Sequence, residues 1–280
     1  MLDFIPSLPI ASWVDDAVKW VTNTFEFFFD PVKDNFGWLL DISAEYLSMI
    51  PPVIVILLVA VLAFFMSGKK LGLAVFSIIG LLFIENQELW SELMYTFTLV
   101  LYSSLLAVVI GIPVGILMSK SNTAESIIRP ILDFMQTMPA FVYLIPAVAF
   151  FGIGMVPGVF ASFIFATPPV VRFTNLGIRQ VSTELVEASD AFGATGQQKL
   201  FKVELPMAKP TIMAGVNQTI MLSLSMVVIA SMIGASGLGR DVLSALQRAE
   251  AGAGFVAGFA IVILAIIIDR LTQNFNKSNQ

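Results

Sequence analysis

The sequence predicts an all-α integral membrane protein of about seven transmembrane helices, and three observations carry that prediction. The 280 residues are 57% hydrophobic, with a mean hydropathy of +0.88, too apolar for an ordinary soluble fold. Apolar runs approaching the roughly 20 residues that a membrane helix needs recur along the chain. Lys and Arg are distributed unequally between the two sides of those runs, the asymmetry by which a membrane protein is oriented.

The elements follow in order. Ile10, Trp13, Val14, Ala17, Val21, Thr24, Phe25 and Phe28 fall at helical spacing, with Asp16, Lys19, Asn23 and Glu26 opposite them. They predict an amphipathic helix that either lies along the outer interface or packs on the spans. Leu39 to Ile50 is left open. Spans are predicted for Met49–Met66, Met94–Met118, Phe134–Ile153, Val156–Val171, Ile212–Ile233 and Phe255–Ile268. A shorter run, Leu71–Ile84, counts as a seventh, because Lys69 and Lys70 can snorkel at one end while Glu85, Glu88 and Glu92 hold the other in water.

Alternating the loops gathers Lys69, Lys70, Lys120, Arg129, Arg172, Arg179, Lys199, Lys202, Lys209, Arg270 and Lys277 on one face. Lys19, Lys33, Arg240 and Arg248 remain on the other. The first face is cytoplasmic by the positive-inside rule, which places the N-terminus outside and the C-terminus inside a bacterial cytoplasmic membrane. The predicted organisation is an extracytoplasmic segment over residues 1–48, two accessory helices over 49–92, a core over 93–272 and a cytoplasmic tail over 273–280. Met1 to Pro6 has neither a basic start nor an early apolar run, so no cleavable signal peptide is expected.

The chain has no cysteine and no histidine. Disulfides, Cys/His metal sites, Cys–His nucleophile pairs and Ser–His triads are therefore excluded. Gly68-Lys69-Lys70 lacks the upstream glycine spacing of a phosphate-binding loop, so a nucleotide-driven process must use another chain's ATPase. Neither nucleic acid nor a bound cofactor is expected.

The longest polar segment of the inner face, Arg172 to Pro210, has helix punctuation. Ser182 can cap a short helix with Glu184 in its first turn, and Gly193 can end it in a left-handed conformation. Thr195 and Gln198 have capping-box spacing for a second helix through Leu200, Phe201 and Val203, with Leu205-Pro206 predicted to stop it. Leu185, Val186, Leu200 and Phe201 would then be exposed below the membrane, as expected of a surface for a protein partner.

Glu187-Ala188-Ser189, three residues, Gly193, nine residues, Val203, one residue and Leu205-Pro206 resemble the EAA loop of ABC-importer permeases. That family has Glu-Ala-Ala, Gly and Ile-x-Leu-Pro at this spacing. Ser189 and Val203 are small or isosteric departures. The resemblance implies a five-helix permease core over Met94–Leu271, with the loop (173–210) between its third and fourth helices. It also implies docking of the loop on a cytoplasmic ABC ATPase, with Glu187, Ala188, Gly193, Leu205 and Pro206 in that role. ATP and Mg would belong to the ATPase. The exposed apolar pair Leu185 and Phe201 joins this candidate set.

Leu132-Asp133-Phe134-Met135-Gln136-Thr137-Met138-Pro139-Ala140-Phe141-Val142-Tyr143, Pro168-Pro169-Val170-Val171-Arg172 and Leu176-Gly177-Ile178-Arg179-Gln180-Val181 are similar to permeases of glycine betaine and related osmoprotectant uptake systems. Those systems pair two permease domains with two ATPases and an extracytoplasmic binding protein. With the chain stopping at Gln280, the receptor is expected to be separate. A homodimer is the simplest assembly, since one core with one loop engages one ATPase. A quaternary ammonium favours aromatic faces, which Phe134, Phe141, Tyr143, Phe150 and Phe151 offer, although a lipid-facing or packing role accounts for any one of them more simply.

Intramembrane polar residues supply the translocation candidates Asp133, Gln136, Gln218, Met221 and Ser225. Asp133 either serves the pathway or pairs with Arg129 one turn earlier. Gln218, Met221, Ser225 and Met232 share a helical face suited to a pathway or to packing. Gly234, Gly237 and Gly239 predict an outer turn near the receptor. Two rival classes are disfavoured: a secondary transporter lacks its usual internal repeat here, and an intramembrane enzyme lacks a nucleophile and base.

Overall fold

The computed structural model describes residues 9–277, and side chains through residue 274. Every regular element among the described residues is helical. They are α1 (Ile10–Thr24), α2 (Glu26–Met49), α3 (Pro52–Met66), α4 (Leu71–Asn86), α5 (Trp90–Lys120), α6 (Asn122–Thr137), α7 (Leu144–Phe151), α8 (Met155–Arg179), α9 (Thr183–Ala191), α10 (Gly196–Lys199), α11 (Leu205–Ser231), α12 (Leu238–Gln247) and α13 (Ala251–Lys277). A π turn, Leu200–Glu204, joins α10 to α11.

Helix α8 is the centre of the bundle, packed along both α5 and α11. Small residues permit this. Gly111 and Gly115 of α5 press against Val170, Val171 and Thr174, while Gly177 of α8 meets Ala208 and Thr211, and Gly215 of α11 meets Phe173. Hydrocarbon solvent gives no hydrophobic drive between helices, so close backbone approach supplies the packing energy. A Cβ on Gly115 would lie 2.5 Å from Thr174 Cβ and 2.7 Å from the Val171 carbonyl oxygen. Gly115→Val is therefore expected to destabilise the bundle by about 1–3 kcal/mol, the usual cost of overpacking. The midpoint of heat-induced aggregation in detergent measures this, and an unchanged midpoint would contradict the packing.

The main apolar core runs through Leu81, Ile84, Leu93, Leu99, Val159 and Leu224, with α2 adding Leu40. On α2, Phe29 stacks on Phe150 at 4.9 Å between ring centroids, and Phe36 lies edge-on to Tyr102. Ser43 and Tyr102 hydroxyls are 2.8 Å apart. Leu39 to Ile50, open from sequence, is thus helical through Met49, in a helix fixed to the core. Helix α1 buries no residue and leaves Trp13 and Val14 exposed, the disposition of an interfacial helix. The amphipathic pattern read through Phe28 is divided, because α1 ends at Thr24 and α2 starts at Glu26.

Four helices are long and apolar enough to cross a membrane unaided: α5, the continuous stretch Gly196–Ser231, α8 and α13. Helix α4 is a shorter apolar helix. Two expected spans are broken instead. The apolar run expected over Met49–Met66 is helical only from Pro52, and α2 meets α3 at 94°, because Pro51-Pro52 forces extended backbone at Ile50. The run expected over Phe134–Ile153 bends by 110° between α6 and the segment Ala140–Phe151. Met138 there has ψ 133°, the extended conformation imposed before Pro139. A one-turn 3₁₀ segment, Ala140–Tyr143, then leads into the short α7.

Candidate functional site: the helical hairpin and its anchorage

Helices α9 and α10 form a hairpin held by its own backbone chemistry. Gly193 adopts φ +75°. Its N–H donates to the Asp190 carbonyl at 2.9 Å and the Ala194 N–H to the Ser189 carbonyl at 3.0 Å, the paired bonds of a Schellman terminator. Thr195 and Gln198 make both bonds of the expected capping box, at 2.9 and 3.3 Å. Lys199 Nζ lies 2.9 Å from each Asp190 carboxylate oxygen, bridging α10 back to α9. Ser182 stands at the start of α9, but its side chain makes no capping bond, contrary to expectation.

The second helix does not stop at Leu205-Pro206. It continues as one helix from Gly196 to Ser231. Pro206 has no N–H to leave unpaired, and the wide π turn ahead of it, where Leu205 N–H reaches back to the Leu200 carbonyl, makes room for its ring. The hairpin is consequently a rigid extension of α11.

Among the candidates on this loop, Leu185, Glu187, Ala188, Pro206 and Phe201 are exposed, Phe201 at 64%. Leu205 is half-buried against Ile178, Ala208 and Ile212, a packing role. Val186 and Leu200, expected to be exposed, are half-buried. Sequence reasoning missed Phe192, 91% exposed. It stands seven residues after Leu185 and four after Ala188, so the three share one face of α9. Its signal was present: a phenylalanine immediately before a helix-ending glycine in a polar loop.

Above the hairpin lies a polar cluster around a cavity of about 360 Å³ lined by Glu125, Arg129, Asp133, Arg172, Asn175 and Arg179. Asp133 pairs with Arg172 of α8. Arg129 pairs with Glu125, so the Arg129–Asp133 pairing considered from sequence does not form. Gln136 is exposed at the end of α6. On α11, Gln218 and Ser225 lie on an uncovered face and Ser225 Oγ donates to the Met221 carbonyl at 3.0 Å. Met221 is half-buried against the main core. The five candidates thus separate into an α6 pair and an α11 stripe.

At the other end of the bundle, the predicted glycine turn is locked. Gly234 and Gly237 have φ +88° and +117°, and Leu238 N–H donates to Thr96 Oγ1 at 2.9 Å. Asp241 in α12 has its carboxyl pushed up by burial and then by the Glu92 charge, with Arg240 opposing. No cluster of three or more acidic, His or Cys residues able to hold a metal occurs among the described residues.

A helical bundle centred on α5, α8 and α11, with helices long and apolar enough to cross a membrane and a capped hairpin projecting from one end, has the architecture of a membrane-embedded subunit. Residues 107–279 match the family of binding-protein-dependent transport system inner membrane components, and the chain belongs to that family. It is 62% identical over 275 residues to the glycine betaine/carnitine transport permease protein GbuB of Listeria monocytogenes, covering 98% of this chain and 97% of that protein. It is 49% identical to the glycine betaine transport system permease protein OpuAB of Bacillus subtilis, covering 98% and 96%. With the glycine betaine/proline betaine permease ProW of Escherichia coli it shares 48%, covering 98% and 77%. The fold matches the inward-facing MetNI methionine ABC transporter with a TM-score of 0.63 at 22% identity, over 69% of this chain and 96% of that one.

Proposed function

We propose that this chain is the permease subunit of an ATP-driven importer for glycine betaine or related osmoprotectants such as carnitine, choline or proline betaine. The observation that carries the mechanism is the exposed hairpin continuous with α11. A rigid element fused to a membrane-crossing helix converts movement of a docked ATPase into movement of that helix, which a flexible loop would absorb. The solute class is supported by the betaine permeases to which nearly the whole chain is similar.

In this reading the hairpin face is cytoplasmic, the N-terminus is outside and the C-terminus inside, as the basic residues favour. Residues 1–48, 49–92, 93–272 and 273–280 act as outer segment, accessory helices, permease core and tail. Two copies of the chain form the pathway, each engaging one ATPase, and a separate extracytoplasmic receptor delivers the solute. ATP and Mg are bound by the ATPase. Asp133 and Gln136 on α6 and Gln218, Met221 and Ser225 on α11 are the pathway candidates. The ATPase contacts are Leu185, Glu187, Ala188 and Phe201, with Gly193, Leu205 and Pro206 shaping the hairpin.

Reconstituted in vesicles with ATPase and receptor, the chain is expected to take up radiolabelled glycine betaine only with ATP on the hairpin side and receptor on the N-terminal side. Uptake driven by a sodium or proton gradient without nucleotide would overturn the ATP-driven mechanism. Strict ATP dependence with uptake of a solute lacking a methylated nitrogen would overturn the solute class alone.

A further inference from the structure

Both ends of the hairpin are fastened to one short corner of the bundle. On the entering side, the Arg179 guanidinium donates at 3.0 Å to the Met118 carbonyl and at 3.0 Å to Asn122 Oδ1, and lies 2.9 Å from Glu125 Oε2. On the returning side, Glu204 of the π turn pairs with Lys120. Met118, Lys120 and Asn122 are the junction of α5 and α6, where Ser121 Oγ accepts the Ala124 N–H at 3.2 Å to start α6.

Glu204 is an unusual occupant of its position. With Ala208 and Ile212 it forms a buried i, i+4, i+8 stripe of the continuous helix Gly196–Ser231, and it is itself only 5% exposed. A carboxylate there is costly unless paired, and an apolar residue would fill the place without that cost. The pair joins chain segments far apart in sequence, and packing alone does not require it.

From the junction, the connection continues into the broken span. Asp133–Arg172 ties the end of α6 to α8, and Tyr143 Oη donates to the Met135 carbonyl across the Met138–Pro139 break. Hairpin motion therefore has a direct output, along the continuous helix into α11, and a second route through the junction into α6 and α7.

We propose that Lys120–Glu204 and the Arg179 cluster are a double latch that gears α6 and the bent segment to the hairpin, making Glu204 and Arg179 positioning residues for transport. This rests on the hairpin being the ATPase-coupling element. With the latch open, α11 still follows the ATPase but α6 does not, so ATP is hydrolysed without matching transport.

The test is the ratio of ATP hydrolysed to glycine betaine imported in vesicles holding permease, ATPase and receptor. Glu204→Gln is expected to keep ATPase binding and hydrolysis within about twofold while transport falls about tenfold or more, within the usual range of coupling between sites. The exchange Lys120→Glu with Glu204→Lys should bring the ratio back towards wild type, which loss of folding alone would not do. If Glu204→Gln fails to assemble, Lys120→Gln opens the same latch from its half-exposed side. An unchanged ratio in the variant that assembles overturns the latch, as does failure of both to assemble, since the pair then serves folding. Gly193→Val separates the two levels. Wild-type transport in that variant overturns the coupling role of the hairpin, whereas its loss beside an unchanged ratio in Glu204→Gln overturns only the latch.

Discussion

Gly193→Val is expected to reduce betaine uptake to background while the permease remains inserted at normal levels, and Gly193→Asn is expected to keep most of it. A Cβ at this position would meet nothing within 4 Å. Crowding is therefore not the issue. The constraint is the backbone, held at φ +75°, which a β-branched residue resists and asparagine tolerates. A strain of about 1–3 kcal/mol is small against a whole domain but large against a two-helix hairpin whose closure depends on two terminator bonds, a capping box and one ion pair. The hairpin would open at its turn, and α9 would lose its fixed angle to α10 and α11. Uptake by reconstituted vesicles, with membrane insertion measured in parallel, checks both variants. Equal activity of the valine and asparagine proteins would show that turn geometry is not what couples the hairpin to transport.

Much of this hairpin was legible because its signals are local. A glycine at a helix end and Thr195 three residues before Gln198 specify hydrogen bonds within a few residues, and both formed as their spacing implied. The errors arose where one residue type serves two purposes. Proline breaks most helices, so Leu205-Pro206 predicts a stop, yet a π turn ahead of it turns the same residue into a continuation. Pro139 and Pro51 lie inside apolar runs that predict single spans, yet the chain bends there by 110° and 94°. An apolar run long enough to cross a membrane does not by itself reveal a bend inside it, since the bend is set by the backbone before each proline.

The polar network was less legible, for a different reason. Asp133 has Arg129 one helical turn away and Arg172 far along the chain, and local spacing favours the nearer partner. The fold brings α8 against α6 and gives Asp133 the distant one, while Glu125 takes Arg129. Glu204 carried no sequence signal at all as a buried residue, because its partner Lys120 belongs to another helix. The close-packed glycines of α5 are intermediate. Gly111 and Gly115 have a spacing that marks helix contact in membranes, but only the fold shows that α8 is the neighbour.

Phe192→Asp is expected to remove the permease from its ATPase without altering its folding. At 91% exposed, this ring is more solvent-accessible than any other large apolar side chain among the described residues. It lies on the hairpin and not on a lipid-facing helix, so hydrocarbon does not account for it. Together with Leu185 and Ala188 it gives α9 an apolar face, flanked by exposed Glu184 and Glu187, and an aromatic side chain at the centre of such a patch is the kind that dominates binding energy. An aspartate there exchanges a buried ring for a desolvated charge. The loss should be on the order of 2–4 kcal/mol, about 30-fold or more in affinity for the ATPase. Co-purification and titration of the ATPase onto permease in nanodiscs measure it, with thermal stability of the isolated permease expected to match wild type because the side chain supports no internal packing. Wild-type ATPase affinity would place the docking surface elsewhere on the permease, and a fall in stability equal to the fall in affinity would mean that the ring packs against the hairpin after all.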